Sequence, residues 1–172
     1  MRTEKALSAG FSAEGYIIDQ DCFASVRYRG MRASVNGCGW MAAYNLRRFL
    51  GQDAIWDAVR REMEALHPVR RFPGPTTLRA LRLYLGKYLP EVRETAGREA
   101  ALQAACASRA GIFRYREGRE PHYVSFLRLP DGRFRFLNLA DGLEDCVLSM
   151  EEFAAGHLRG PARAFTAREV SL

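Results

Sequence analysis

The chain has no apolar run long enough to span a membrane and no apolar stretch near its start that reads as a signal peptide. A membrane span and an export signal are therefore not expected, and the default location is the cytoplasm. Lysine is nearly absent. Almost all of the 26 basic residues are arginine, Lys5 and Lys87 being the exceptions. The arginines are scattered through stretches such as "RREMEALHPVRR" and "REGREPH" rather than gathered in a basic block, which argues against a nucleic-acid partner despite the net charge of +6. Histidine is scarce, limited to His67, His122 and His157, and none has metal-ligand spacing to a cysteine. The four cysteines, Cys22, Cys38, Cys106 and Cys146, form no CxxC pair. On that pattern neither a zinc site nor a disulfide framework is expected, and the cysteines read as free thiols. There is no internal repeat, low-complexity tract or dividing linker.

What is present suits one domain. At 172 residues, with 48% hydrophobic and 27% charged residues, the chain can bury a full core. Residues 1–15 are expected to be a loosely packed or disordered lead-in. "GYIID" reads as a short strand and Gln20 to Gly37 as loop. Trp40, Met41, Tyr44, Leu46, Phe49 and Leu50 share a helical stripe that Gly51 ends. Asp53 is placed to cap a second helix through Ile55, Trp56, Val59, Met63 and Leu66, stopped at His67-Pro68. "RRFPGP" is a turn. Thr76 or Thr77 starts a third helix through Leu78, Leu81, Leu85 and Tyr88, and a fourth covers Arg98 to Ser108.

The character changes at Gly111. "GIFRYRE", "HYVSFLRL" and "RFRFLNL" are rich in aromatic and β-branched residues, and Asp131-Gly132 between the last two signals a hairpin. "SMEEFAAGHL" reads as a short helix with Ser149 and Glu152 in a capping box, and "RAFTAREV" as a last strand. Helices first and an antiparallel sheet afterwards make an α+β layout.

Within that layout one thiol stands out. In "SVNGCGWMAAYNLRRFLG", Cys38 lies between Gly37 and Gly39 at the start of a helix. A helix N-terminus favours the thiolate, and two side-chain-free neighbours would leave a substrate carbonyl room to approach. The other three cysteines read as small core residues. A nucleophilic cysteine needs a base. His122 begins a strand in "EPHYVSF" and is the best placed, His67 and His157 sitting at helix ends where capping suffices. The base needs an orienting group. Asn138 ends the strand that returns from the Asp131-Gly132 turn, beside the start of the His122 strand; Asp141 is its competitor.

The order Cys, helical region, His on a strand, Asn on the next strand resembles the papain-like cysteine peptidases. "NGCGWMAAYN" is similar to the nucleophile segment of the bacterial branch related to double-glycine leader peptidases, as are "YIIDQD" and "YRG" upstream. "HYVSF" and "FRFLN" resemble its His and Asn/Asp strands. The resemblance implies a papain-like α+β fold over about Tyr16 to Phe153, with the nucleophile helix packed on a C-terminal antiparallel sheet. It also implies a Cys38–His122–Asn138 triad that cleaves a peptide bond through a thioester. The oxyanion would be held by the Cys38 N–H and by Gln20 or Asn36, with no metal or organic cofactor. The implied partner is a peptide or protein substrate. A thiol acyltransferase or glutamine deamidase on the same fold, or a catalytically silent binding module, are the alternatives.

Overall fold

The structure is a computed structural model that describes residues 7–67, 73–118, 120–139 and 143–168. Asp141, Pro68 and the first half of "RRFPGP" lie outside the described residues. The mixed α+β layout is present. A six-stranded antiparallel sheet, in the order β3-β8-β4-β5-β6-β7, forms from β3 (Arg93–Ala96), β4 (Ser108–Glu117), β5 (Glu120–Arg128), β6 (Phe134–Leu139), β7 (Leu143–Leu148) and β8 (Arg163–Arg168). Before it come a small hairpin, β1 (Arg27–Tyr28) and β2 (Met31–Arg32), and four helices: α1 (Ala33–Asn36), α2 (Cys38–Phe49), α3 (Trp56–Ala65) and α4 (Leu78–Tyr88). Two more, α5 (Arg98–Cys106) and α6 (Met150–Gly156), are interleaved with the strands.

The sheet separates two cores. On one face, Ile112, Tyr123, Leu137 and Phe165 pack with Trp40, Met41 and Leu46 of α2, Met63 of α3 and Leu81 and Tyr84 of α4. On the other, Phe113, Val124, Phe126 and Phe136 pack with Ala101 and Ala105 of α5 and Phe153 of α6. Strand alternation sends successive residues of β4 and β5 to opposite cores.

Several local expectations need correction. "GYIID" forms no strand; only an isolated bridge joins Phe11 to Ile17. The buried Asn45 amide of α2 takes the place of a neighbouring strand. It accepts from Ile17 N–H at 2.8 Å and donates to Ile17 C=O at 2.7 Å. From residue 7 the N-terminal segment is tied in, Phe11 lying against Phe23 at 5.4 Å between ring centroids. Helix α3 begins at Trp56 after Ile55, with no side-chain cap, so Asp53 does not cap it. The stretch read as loop contains a 3₁₀ turn (Asp21–Phe23), the β1–β2 hairpin and α1. The hairpin turn puts Arg29 and Gly30 at φ 49° and 77°, the geometry of a type I′ turn. Glu64 of α3 accepts the Arg29 N–H at 2.6 Å and fixes this unusual arginine.

Other expectations match. Thr77 caps α4 by accepting from Ala80 N–H, and Ser149 with Glu152 forms the capping box of α6. The Asp131-Gly132 hairpin sets β5 and β6 in register, Ser125 opposite Leu137 and Arg128 opposite Phe134.

Candidate active site

Cys38 is the first residue of α2, and Gly37 before it is in helical conformation at φ −82°, ψ −14°. Helix α1 therefore runs almost directly into α2. In an unbroken helix the Cys38 N–H would bond the Ser34 carbonyl. That carbonyl instead accepts from Gln20 Nε2 at 2.6 Å. The Gln20 side chain thus holds the joint between the two helices, immediately before the thiol.

The glycines beside Cys38 do not open the approach that the sequence suggested. A Cβ on Gly39 would collide with the Thr76 side chain, and one on Gly37 would collide with the Ala33 carbonyl and the Met41 methyl. Both are glycine because neighbours fill that space, and Cys38 is only 4% exposed. Thr76, seated on Gly39, joins two buried phenols. Its Oγ1 lies 2.9 Å from Tyr28 Oη, and its carbonyl accepts from Tyr123 O–H at 3.0 Å. Burial pushes both phenols up, Tyr123 to about 12, and the charge of a Cys38 thiolate acts on both in the same direction. Both stay neutral at any physiological pH.

The same contacts orient α2 against the sheet. Thr76 beside Gly39 bonds Tyr123, and Asn45 two turns along α2 donates to Ser125 Oγ at 3.1 Å, two residues along β5. Helix and strand run in the same direction, so Cys38, the first residue of α2, and His122, the third of β5, lie toward the same end of the molecule.

His122 stands opposite Tyr115 of β4, the rings 5.6 Å apart and near perpendicular. Its Nε2 lies 2.9 Å from the main-chain carbonyl of Asn138. A carbonyl oxygen only accepts, so Nε2 carries the hydrogen and the neutral ring keeps its basic lone pair on Nδ1. Asn138 therefore reaches the imidazole, but not through the side-chain amide expected of an orienting asparagine. Its backbone sits at φ 60°, in the left-handed region that asparagine tolerates best among non-glycine residues. This kink turns the carbonyl to His122 and the amide to Gln20. Asn138 Oδ1 accepts from Gln20 N–H at 3.0 Å, and Nδ2 donates to Gln20 Oε1 at 3.2 Å. One connected path thus runs from the His122 ring through Asn138 and Gln20 to Ser34.

Asn36 is the other amide named for the oxyanion. Both Nδ2 hydrogens are spent, on the carbonyls of Tyr28 and Gly74, each at 2.9 Å. It has no donor left, and its buried Oδ1 has no hydrogen-bond partner. Its role is to fasten the β1–β2 hairpin to α1. Gln20 retains a second Nε2 hydrogen and is the remaining side-chain candidate.

The other histidines are structural. His67 is buried; Nδ1 donates to Met63 C=O at 2.8 Å, and Nε2 accepts from Thr77 N–H at 3.1 Å. It joins the end of α3 to the start of α4, and burial followed by the nearby Arg29 charge lowers its pKa. His157 stacks on Phe153 at 5.7 Å. All four cysteines are free thiols. Cys106 is exposed rather than in the core. Partial burial raises the thiol pKa of Cys106 and Cys146, while Cys22 donates to Asp19 at 3.1 Å. Among the described residues no group of His, Cys, Asp or Glu side chains could hold a metal ion, and no helix is long and apolar enough to cross a membrane.

Tyr28, Thr76, Tyr123 and Asn45 are the site-building residues that sequence reasoning did not single out. A polar Asn45 amid an otherwise apolar helical stripe was the one available signal. Comparison of the chain with protein-family models and with curated proteins gives no match.

Proposed function

We propose that Cys38 is the nucleophile of a thiol-dependent hydrolase that cleaves a peptide bond, on a papain-like arrangement of helix and sheet. The observation that carries this reading is the anchoring of His122 Nε2 on the Asn138 carbonyl, within a network that ends at the joint before Cys38. It leaves the basic nitrogen of the ring, Nδ1, for the thiol proton. In the proposed reaction Nδ1 takes the Cys38 proton and the sulfur attacks the substrate carbonyl carbon. The oxyanion is met by the Cys38 N–H and the second Gln20 Nε2 hydrogen. The C–N bond breaks as the imidazolium returns its proton to the leaving amine. Water, deprotonated by the same ring, then hydrolyses the thioester and releases Cys38.

Low exposure of Cys38 and the filled space at both glycines favour one other reading, a non-catalytic binding module. The deciding experiment is incubation with a proteome-derived peptide library, read by mass spectrometry for new peptide termini. Cleavage by the wild-type protein that Cys38→Ser abolishes supports the hydrolase. Ammonia release or new amide bonds in the same incubation reveal a deamidase or an acyltransferase. No reaction of any kind favours the module.

A further inference from the structure

The arginines on the α2-facing side of the sheet are not neutralised alike. Glu94 of β3 accepts from Arg82 Nε and Nη2 of α4 at 2.6 and 2.8 Å, and from Arg163 Nη1 of β8 at 2.6 Å. One carboxylate is thereby saturated by two guanidinium groups. Arg114 of β4 is the cross-strand neighbour of both Arg163 and Tyr123. It is half-buried, and its side chain donates from Nε to Tyr123 Oη at 3.2 Å, with the guanidinium beside that ring. Among the described residues no carboxylate forms an ion pair with it. Like charges directly opposite on adjacent strands are destabilising, so a second arginine beside Arg163 without its own acid is a cost to the fold.

The position of Arg114 shows what could offset that cost. The bond from Nε engages that nitrogen with Tyr123 and leaves the Nη1–Nη2 edge of the guanidinium to other partners. That paired edge matches a carboxylate bidentately. Tyr123 in turn bonds Thr76, which is seated on Gly39 next to Cys38. This cation therefore belongs to the surroundings of the candidate nucleophile. We infer that Arg114 is a specificity residue that binds an acidic side chain of the substrate, within a few residues of the bond that Cys38 attacks. The inference rests on the nucleophile reading of Cys38 and narrows the substrate class to acidic peptides. Arg82 and Arg163, already engaged by Glu94, add a favourable potential around the same spot.

The test uses tripeptidyl vinyl sulfones, which trap a reactive thiol by addition. Three matched pairs carry glutamate or glutamine at the first, second or third residue before the warhead. Second-order rate constants for adduct formation at Cys38 are read by peptide-level mass spectrometry. At one of the three positions the glutamate probe is expected to react about tenfold faster than its glutamine twin, a step of about 1.4 kcal/mol. That preference should fall to within about twofold in Arg114→Gln and be only partly kept in Arg114→Lys, which retains the charge but not the paired edge. Folding of each variant is checked by its circular dichroism. Equal rates for glutamate and glutamine at all three positions would overturn the inference while leaving Cys38 as the nucleophile. So would a preference that survives unchanged in Arg114→Gln. Failure of every probe to label Cys38 would remove the nucleophile reading and this inference with it.

Discussion

The two faces of the sheet are built on different principles. The face toward α5 and α6 is held by stacked rings. Phe136 and Phe153 lie 4.2 Å apart and nearly parallel, and Phe113 meets both Phe126 and Phe153. The face toward α2 is threaded with hydrogen bonds between buried polar groups: Asn45 to Ile17 and Ser125, Tyr123 to Thr76, Thr76 to Tyr28. Ring packing is strong but nondirectional, whereas a buried hydrogen bond is modest in net energy and strict in geometry. The first face mainly supplies stability. The second fixes how α2 sits on β5 and carries Cys38, whereas His122 is paired with Tyr115, whose ring packs on Phe153 of the first face.

The comparison breaks most visibly at Phe153, which is fully buried among aromatic rings. Phe153→Ala should cost about 3–5 kcal/mol, read as a lower urea midpoint, because the cavity removes contacts on several sides. Asn45→Ala attacks the other face. It leaves the buried Ile17 N–H and C=O unpaired and should cost about 2–4 kcal/mol by the same measurement. Unlike Phe153→Ala, it should also change the labelling rate of Cys38 in the folded protein, since it loosens the seating of α2.

A smaller effect depends on pH. His67 is held neutral by burial, with its folded pKa below the usual 6.5. The unfolded chain thus binds more protons than the folded one as pH falls. The stability from His67 is fully present above about pH 6.5 and is lost as pH drops through the lower folded value, with a slope of at most about 1.4 kcal/mol per pH unit. Urea midpoints at pH 7.5 and 5.5 should show this loss, and His67→Gln should flatten it. The smallest effect concerns the kink at Asn138. Asn138→Ala and Asn138→Gly both lose the bonds to Gln20, but only glycine accepts φ 60° without strain. The glycine variant should be the more stable by about 1 kcal/mol. It should also keep more of the Cys38 reactivity, because its carbonyl stays on His122.

The sequence revealed the parts whose signals are local. Helix periods, the Thr77 and Ser149 caps and the Asp131-Gly132 turn depend on residues a few positions apart, and α4, α6 and the β5–β6 hairpin followed from them. The misses depend on distant partners. Ile17 reads as a strand residue, and only the fold brings Asn45 to it from 28 positions away. "YRG" hides a hairpin turn because an arginine stands where asparagine or glycine is usual, stabilised by Glu64 from 35 positions away. Strand β3, "RETA", is a four-residue edge with no apolar alternation, formed by pairing with β8. At the candidate site the order of Cys38, His122 and Asn138 was legible. The meaning of the flanking glycines was not, because Thr76, the residue that fills the space over Gly39, is far along the chain. Nor was the use of the Asn138 carbonyl in place of its amide, which follows from a backbone angle that residue type only permits.

The central claim is that His122 activates Cys38. Its most direct test is the pH dependence of Cys38 alkylation by iodoacetamide, followed at peptide level in the wild-type protein and in His122→Ala. The account predicts rapid wild-type alkylation at mildly acidic pH, because the imidazolium holds the sulfur as thiolate. In His122→Ala reactivity should appear only above the ordinary thiol range near pH 8.5. Superimposable pH profiles for the two proteins would contradict it.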